Sequence, residues 1–160
     1  MVADSTASAG LRPLQNAVTM WAVGFDGSAS SVLAAANALA DGFDSPALRE
    51  MAGLPLETSW WVSEDLVREA FAELDLDFPD ASSPATKLVA LRVMCQRFLE
   101  AEIGAEQLTE WAHSVIGHEF PDEQAEKFVL LDDTDDYMPE RPADWAPRVR
   151  SAAEAFIARD

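Results

Sequence analysis

The chain has two histidines, His113 and His118, and both lie near acidic residues that could join them in holding a metal ion. Glu110 and His113 share the Glu-x-x-His spacing of di-iron helix bundles, but that centre needs a second such pair, which the sequence lacks. A mononuclear zinc site of His113, His118 and Glu119 is one hypothesis. The other is that His113 interacts with the C-terminal end of a helix that stops at Gly117, while His118 is a packing residue. We predict no bound cofactor.

The segment of residues 132–137 is a second candidate site, because it places four carboxylates beside the single tyrosine of the chain. Its charged and aromatic members are Asp132, Asp133, Asp135, Asp136 and Tyr137. The segment does not match an EF-hand calcium loop, because Met138 stands where the turn glycine is required if Asp133 is the first position of the loop. Carboxylates that accept paired hydrogen bonds from arginine, next to an aromatic contact residue, are typical of a hot spot for a basic protein surface. We therefore predict that this segment binds a protein partner.

No other pattern in the sequence indicates a reaction. The chain has neither a G-x-S-x-G nucleophile motif nor a glycine-rich phosphate loop. Cys95 lies among Leu91, Met94 and Phe98 at helical spacing, which predicts a buried core thiol, and one cysteine forms no internal disulfide. The sequence thus identifies no catalytic residues, and we expect a protein that is not an enzyme.

The charge of the chain indicates the kind of partner. There are 29 Asp and Glu residues against 11 Lys and Arg, a net charge of −18. Residues 57–82 hold eight acids and one base, and residues 119–144 hold ten acids and two bases. Nucleic acid and anionic membranes should repel such a surface, whereas a basic protein suits it. The first window adds the candidate partner-binding residues Glu64, Asp65, Glu69 and Glu73.

The acidity also has two possible origins that involve no partner. Proteins of salt-adapted hosts are acidic throughout, and charged helix faces commonly serve only to keep a protein soluble.

The cellular location is predicted from other features of the sequence: no apolar run reaches about 18 residues, the length that spans a membrane. Residues 1–10 are small and polar, which predicts a disordered tail and no secretory signal. We expect a cytoplasmic protein.

Apolar residues recur at intervals of three and four from residue 11 onward, which predicts an all-α fold. The hydrophobic content of 49% is sufficient for a core. We expect one compact domain over residues 11–160, a bundle of seven or eight short helices without strands.

Several helix boundaries follow from local signals. Ser45-Pro46 and Ser83-Pro84 each combine an N-cap residue with a proline at the first helical position. Ser63 is predicted to begin a further helix, with the two acids after it in the first turn, where the helix dipole favours anions. Gly104 is predicted to interrupt the long helix that starts at residue 84. For the adjacent Trp60-Trp61 pair, we favour both rings packed under a helix over one ring exposed as a partner anchor.

Residues 96–116, QRFLEAEIGAEQLTEWAHSVI, contain an FL-x-x-E-I stretch between two predicted helices. This stretch resembles one in small acidic helical proteins such as the colicin D immunity-like group, while the chain as a whole is similar to uncharacterised bacterial helical proteins. The resemblance implies an acidic inhibitor that covers the basic catalytic face of a partner toxin. No functional residue is carried over, because the match is a packing pattern.

Three hypotheses follow from the sequence. The first is an acidic binding or inhibitor protein that docks a basic partner protein, such as a nuclease toxin, through clustered carboxylates. The second is a structural or assembly protein whose acidity serves solubility. The third is a metal-binding protein or enzyme that uses His113, His118, Glu110 and Glu119.

Overall fold

The computed structural model describes residues 9–133 and 140–159, and every regular element within them is a helix. This confirms the predicted all-α fold. The eight helices of the described residues are α1 (Arg12–Ala22), α2 (Ser28–Ala40), α3 (Pro46–Ala52), α4 (Trp60–Glu73), α5 (Pro84–Leu99), α6 (Ala105–Val115), α7 (Glu123–Asp133) and α8 (Trp145–Ala158). No helix of the described residues is long and apolar enough to span a membrane.

Contacts divide the chain into two compact units, Met1–Ser83 and Pro84–Asp160. The first contains α1 to α4 and the second α5 to α8. The single domain expected over residues 11–160 remains a prediction. Of the expected N-terminal tail, residues 1–8 lie outside the described residues, and Ala9 and Gly10 have helical backbone.

The first unit is a chain of consecutive helix pairs, in which α1 packs on α2, α2 on α3 and α3 on α4. Its core is built from the apolar stripes of these helices, including Leu14, Val18, Leu48, Met51, Val67 and Phe71. Aromatic contacts hold α4 against the core: the Trp60 ring lies 5.1 Å from Trp21 and 5.9 Å from Phe78, centroid to centroid. Such pairs add stability beyond the area that they bury.

The second unit packs α6 on α7, and α5 and α7 on α8. Its buried side chains include Leu91, Met94, Phe98, Leu108, Trp111, Phe128, Val149 and Phe156. Cys95 is fully buried among them, and burial raises the pKa of its thiol to about 12. The predicted core thiol is thus confirmed. The indole N–H of Trp145 donates to the Leu131 carbonyl at 2.8 Å, which fixes the start of α8 against the end of α7.

The two serine-proline signals mark helix starts as predicted. The Ser45 hydroxyl accepts a hydrogen bond from the Leu48 N–H at 3.2 Å and caps α3, and α5 begins at Pro84. The start predicted at Ser63 is wrong, because α4 begins at Trp60 and Ser63 is buried inside the helix. Packing of Trp60 on the core extends α4 by one turn, so the two acids after Ser63 lie beyond the first turn.

Four helices, α1, α2, α4 and α5, end in the same way: a residue with positive φ closes the helix through two backbone hydrogen bonds, the Schellman motif. Gly24 and Gly42 fill this position after α1 and α2, with φ of 78° and 98°. Asp75 and Ala101 fill it after α4 and α5, with φ of 56° and 61°. The long helix therefore ends at Leu99, and Gly104 is the N-cap residue of α6 rather than the residue that stops α5. An alanine at the left-handed position gives no sequence signal, which explains the error.

Candidate functional site

The second unit brings the two histidines together at the end of α6. His113 lies in the last turn of that helix, which ends at Val115. Gly117 follows with a φ of 72° and donates its N–H to the Ala112 carbonyl at 3.1 Å, so the chain reverses direction at this point. Such a φ favours glycine. As a result the His118 ring returns to within 5.1 Å of the His113 ring, centroid to centroid, with the ring planes at 86°.

The last residues of α7 supply carboxylates to the same place. His113 Nδ1 lies 2.8 Å from Asp132 Oδ2 and 3.5 Å from Asp133 Oδ1. His118 Nε2 lies 3.4 Å from Asp133 Oδ2. Asp133 thus faces both rings, whereas Asp132 is at hydrogen-bond distance from one. The His118 side chain is 51% exposed and Asp133 31%, so solvent reaches the cluster.

The position of α7 is fixed at its other end by Asp122. Asp122 accepts a hydrogen bond from the Ala125 N–H at 3.0 Å and pairs with the Arg159 guanidinium at 2.7 Å. Burial raises the pKa of the Asp122 carboxyl, but the hydrogen bonds and the charge of Arg159 lower it by more, and the pKa lies below its ordinary value. A capped and anchored α7 presents its C-terminal aspartates to the histidines in a fixed register.

The zinc site predicted from the sequence contains two residues of this cluster, His113 and His118. The ligand atoms of His113, His118 and Asp133 lie within 4.8 Å of one another. Glu110 is exposed on α6, and Glu119 lies at a φ of 60° with its N–H donating to Glu126 Oε1 at 2.7 Å. Neither glutamate belongs to the group that the described residues form. No spacing in the sequence relates residue 133 to residue 113, because only the packing of α7 on α6 joins them.

The predicted partner segment is divided by the limits of the described residues. Asp132 and Asp133 belong to the histidine cluster, while Asp135, Asp136 and Tyr137 lie outside the described residues. The structure therefore places two of the five predicted contact residues, and both face imidazole rings.

The acidic residues predicted on α4 fall into two classes. Glu64 pairs with Arg68 at 3.0 Å, and Glu73 Oε2 accepts a hydrogen bond from the Ala47 N–H at 2.9 Å, so both make contacts inside the first unit. Asp65 and Glu69 are exposed and form no ion pair with any residue between 9 and 133 or 140 and 159. These two carboxylates are directed to solvent and available to a partner.

The first turn of α4 exposes two large apolar side chains. Trp61 is 86% exposed and Val62 79%. The favoured arrangement with both tryptophans packed is wrong, because neighbours on a helix are about 100° apart and only Trp60 can face Trp21 and Phe78. Asp65 and Glu69 follow Trp61 at intervals of four, so they continue the same side of the helix. We call Trp61, Val62, Asp65 and Glu69 the outer face of α4.

The family models, the curated proteins and the solved structures with which the chain was compared gave no match.

Proposed function

We propose that the protein is an acidic binding protein, immunity-like in its mode of action, that docks a basic surface of a partner protein through the outer face of α4. One observation carries the proposal: Trp61 is 86% exposed on a helix side that continues into Asp65 and Glu69. Tryptophan is highly buried on average and is enriched in protein contact surfaces, so an exposed tryptophan beside an exposed valine favours a contact site.

Trp61 would supply most of the affinity. A tryptophan side chain buries on the order of 200 Å² when it is covered, which corresponds to roughly 5 kcal/mol of transfer free energy before the costs of association. Alanine substitution of such anchors typically costs about 2–4 kcal/mol of binding free energy. Val62 extends the apolar contact on the same turn, since it is 79% exposed.

Asp65 and Glu69 would supply specificity and speed of association. Both are exposed, and each can accept paired hydrogen bonds from an arginine of the partner. They contribute to the net charge of −18 of the chain, whose field attracts basic proteins over a range set by the ionic strength. The same field disfavours nucleic acid as a partner. Binding through this face therefore weakens as salt is added.

Self-association through the same face, the structural alternative, is less well supported. Two copies that met through Trp61 would bring Asp65 and Glu69 of one copy near those of the other. Like charges in a contact cost free energy, and each copy adds a net charge of −18. Sedimentation velocity of wild-type protein and Trp61→Ala at several concentrations separates the two ideas. A wild-type dimer that the substitution dissolves would favour assembly over partner binding.

The partner is sought by capture from lysate at low salt, followed by elution with a salt step, identification and purification. The dissociation constant is then measured by calorimetry for wild type, Trp61→Ala and Asp65→Asn with Glu69→Gln. A double variant of the exposed Glu100 and Glu102 to glutamine removes the same charge from the end of α5 and serves as the control.

We expect Trp61→Ala to weaken binding about 30- to 1000-fold, the equivalent of about 2–4 kcal/mol. The α4 double variant should bind more weakly at low salt and show a smaller salt dependence, while the α5 control keeps most of the wild-type affinity. Equal affinities for wild type and Trp61→Ala would refute the proposal. Binding of lysozyme, an unrelated basic protein, to wild type and to Trp61→Ala measures the non-specific electrostatic attraction that the two proteins should share.

A further inference from the structure

We propose that His113, His118 and Asp133, joined by Asp132, form a binding site for one divalent transition-metal ion, and that zinc fits it best. The three first-named residues each offer one ligand atom, and these atoms lie within 4.8 Å of one another. They come from the last turn of α6, the reversal after it and the last turn of α7, elements whose packing fixes the cluster.

Asp133 lies farther from both imidazoles than in an ordinary hydrogen bond. Asp133 Oδ1 lies 3.5 Å from His113 Nδ1, and Asp133 Oδ2 lies 3.4 Å from His118 Nε2. Both separations are long for a hydrogen bond between nitrogen and oxygen. Ligands at about 2.0–2.1 Å from a tetrahedral zinc ion are about 3.3–3.4 Å apart. Each imidazole nitrogen lies at about this separation from one oxygen of Asp133, and because the two nitrogens face different oxygens, the carboxylate must rotate for one oxygen to serve a shared ion. The three ligand atoms lie within 4.8 Å of one another, so the side chains must move closer together to share one ion.

Asp132 completes the arrangement. Its Oδ2 lies 2.8 Å from His113 Nδ1, which is hydrogen-bond distance, so it holds that nitrogen in place. When a metal takes the lone pair of this nitrogen, the hydrogen bond is lost and the same carboxylate is positioned to become the fourth ligand. Two carboxylates also neutralise the charge of a divalent ion, so the occupied cluster carries no net charge if both imidazoles are neutral.

The ligand types select the kind of ion. Two imidazoles with carboxylate oxygens suit zinc and its neighbours among the divalent transition metals, whereas calcium and magnesium prefer all-oxygen sites. His118 is 51% exposed and Asp133 31%, so the ion can enter from solvent, and water has access to it once it is bound. The site differs from the one expected on sequence grounds, because Asp133 of α7 takes the place that Glu119 was expected to fill.

The experiment measures zinc binding by the full chain, purified without a histidine tag and stripped with chelator. Isothermal titration is run in excess magnesium, which occupies the non-specific acidic surface. Elemental analysis of the dialysed complex gives the stoichiometry, and the visible spectrum of the cobalt form reports tetrahedral geometry. The variants are His118→Ala, Asp133→Asn and Asp132→Asn, with Glu119→Gln as the control of equal charge change. His118 is half exposed, so its removal leaves the core intact, and circular dichroism checks the fold of each variant.

We expect one zinc ion per chain for wild type and Glu119→Gln. His118→Ala and Asp133→Asn should each weaken binding by more than the tenfold to hundredfold typical of losing an outer-shell group, and Asp132→Asn by at least that amount. The proposal is overturned by absence of stoichiometric zinc, by wild-type affinity in both His118→Ala and Asp133→Asn, or by equal losses in Glu119→Gln.

Discussion

The end of α5 offers a substitution that should stabilise the protein by removing a side chain. Ala101 occupies the left-handed position of a Schellman motif with a φ of 61°, and the Ala101 and Glu102 N–H groups donate to the Phe98 and Arg97 carbonyls at 3.0 and 2.8 Å. Its methyl group is exposed, so replacing it with hydrogen removes no buried contact. Ala101→Gly should therefore raise the free energy of unfolding.

The magnitude follows from two opposing terms. A residue with a Cβ pays roughly 1–2 kcal/mol for the left-handed conformation, which glycine adopts freely. Glycine gains conformational freedom in the unfolded chain, which offsets about 0.5–1 kcal/mol of that. The net expectation is a stabilisation of about 0.5–1 kcal/mol.

Two control substitutions test whether the stability change in Ala101→Gly comes from the left-handed backbone at residue 101. Ala72→Gly removes an exposed methyl group inside α4 and should destabilise by about 1 kcal/mol, because the residue is helical. Gly42→Ala adds a methyl group at a φ of 98° with no atom within 4 Å, so its cost is purely conformational, about 1 kcal/mol or more. Urea unfolding followed by circular dichroism measures all three. A loss of stability in Ala101→Gly as large as that in Ala72→Gly would refute the assignment of the left-handed cap.

Further predictions concern the interior, the exposed tryptophan and the helix anchor. The Cys95 thiol, buried and with its pKa raised to about 12, should not react with Ellman's reagent at pH 8 until urea unfolds the chain; rapid labelling of native protein would contradict its burial. Trp60→Ala should cost about 2–3 kcal/mol of stability, whereas Trp61→Ala should cost less than about 1 kcal/mol; equal losses by thermal unfolding would place Trp61 in the core. Asp122→Ala should lower the free energy of unfolding at pH 7 by about 2 kcal/mol through the lost cap and ion pair. The lowered pKa of Asp122 means that its charge stabilises the fold above its unfolded pKa of about 3.9 and stops doing so as pH falls through the folded pKa. Asp122→Asn should therefore show a weaker loss of stability in acid than wild type, and parallel pH profiles would oppose this.

The helical fold was accessible from the sequence because its signals are local. Apolar stripes and serine-proline starts act within one or two turns, so Ser45-Pro46 and Pro84 mark helix starts correctly. Cys95 lies in the core for the same reason, since its neighbours at helical spacing are apolar.

One incorrect helix boundary arose from a tertiary contact, and the other from a local backbone conformation that the residue type does not reveal. Because Trp60 packs on Trp21 and Phe78, α4 begins about one turn before Ser63. The same contact leaves Trp61 exposed to solvent. The end of α5 could not be predicted, because an alanine, Ala101, fills the left-handed position where glycine is usual.

Only part of the histidine cluster could be predicted from the sequence. The two histidines could be named because the glycine between them implies a helix end. Their carboxylate partner Asp133 comes from α7, twenty residues after His113, and only the packing of two helices brings it near. No period or spacing in a single sequence records such a contact.

The central claim is tested most directly by the affinity of the purified partner for wild type and Trp61→Ala, each measured at low and at high salt. We expect the substitution to raise the dissociation constant about 30- to 1000-fold while stability stays nearly unchanged, and wild-type binding to weaken steeply with salt. Equal dissociation constants for the two proteins, or an affinity that salt does not alter, would contradict it.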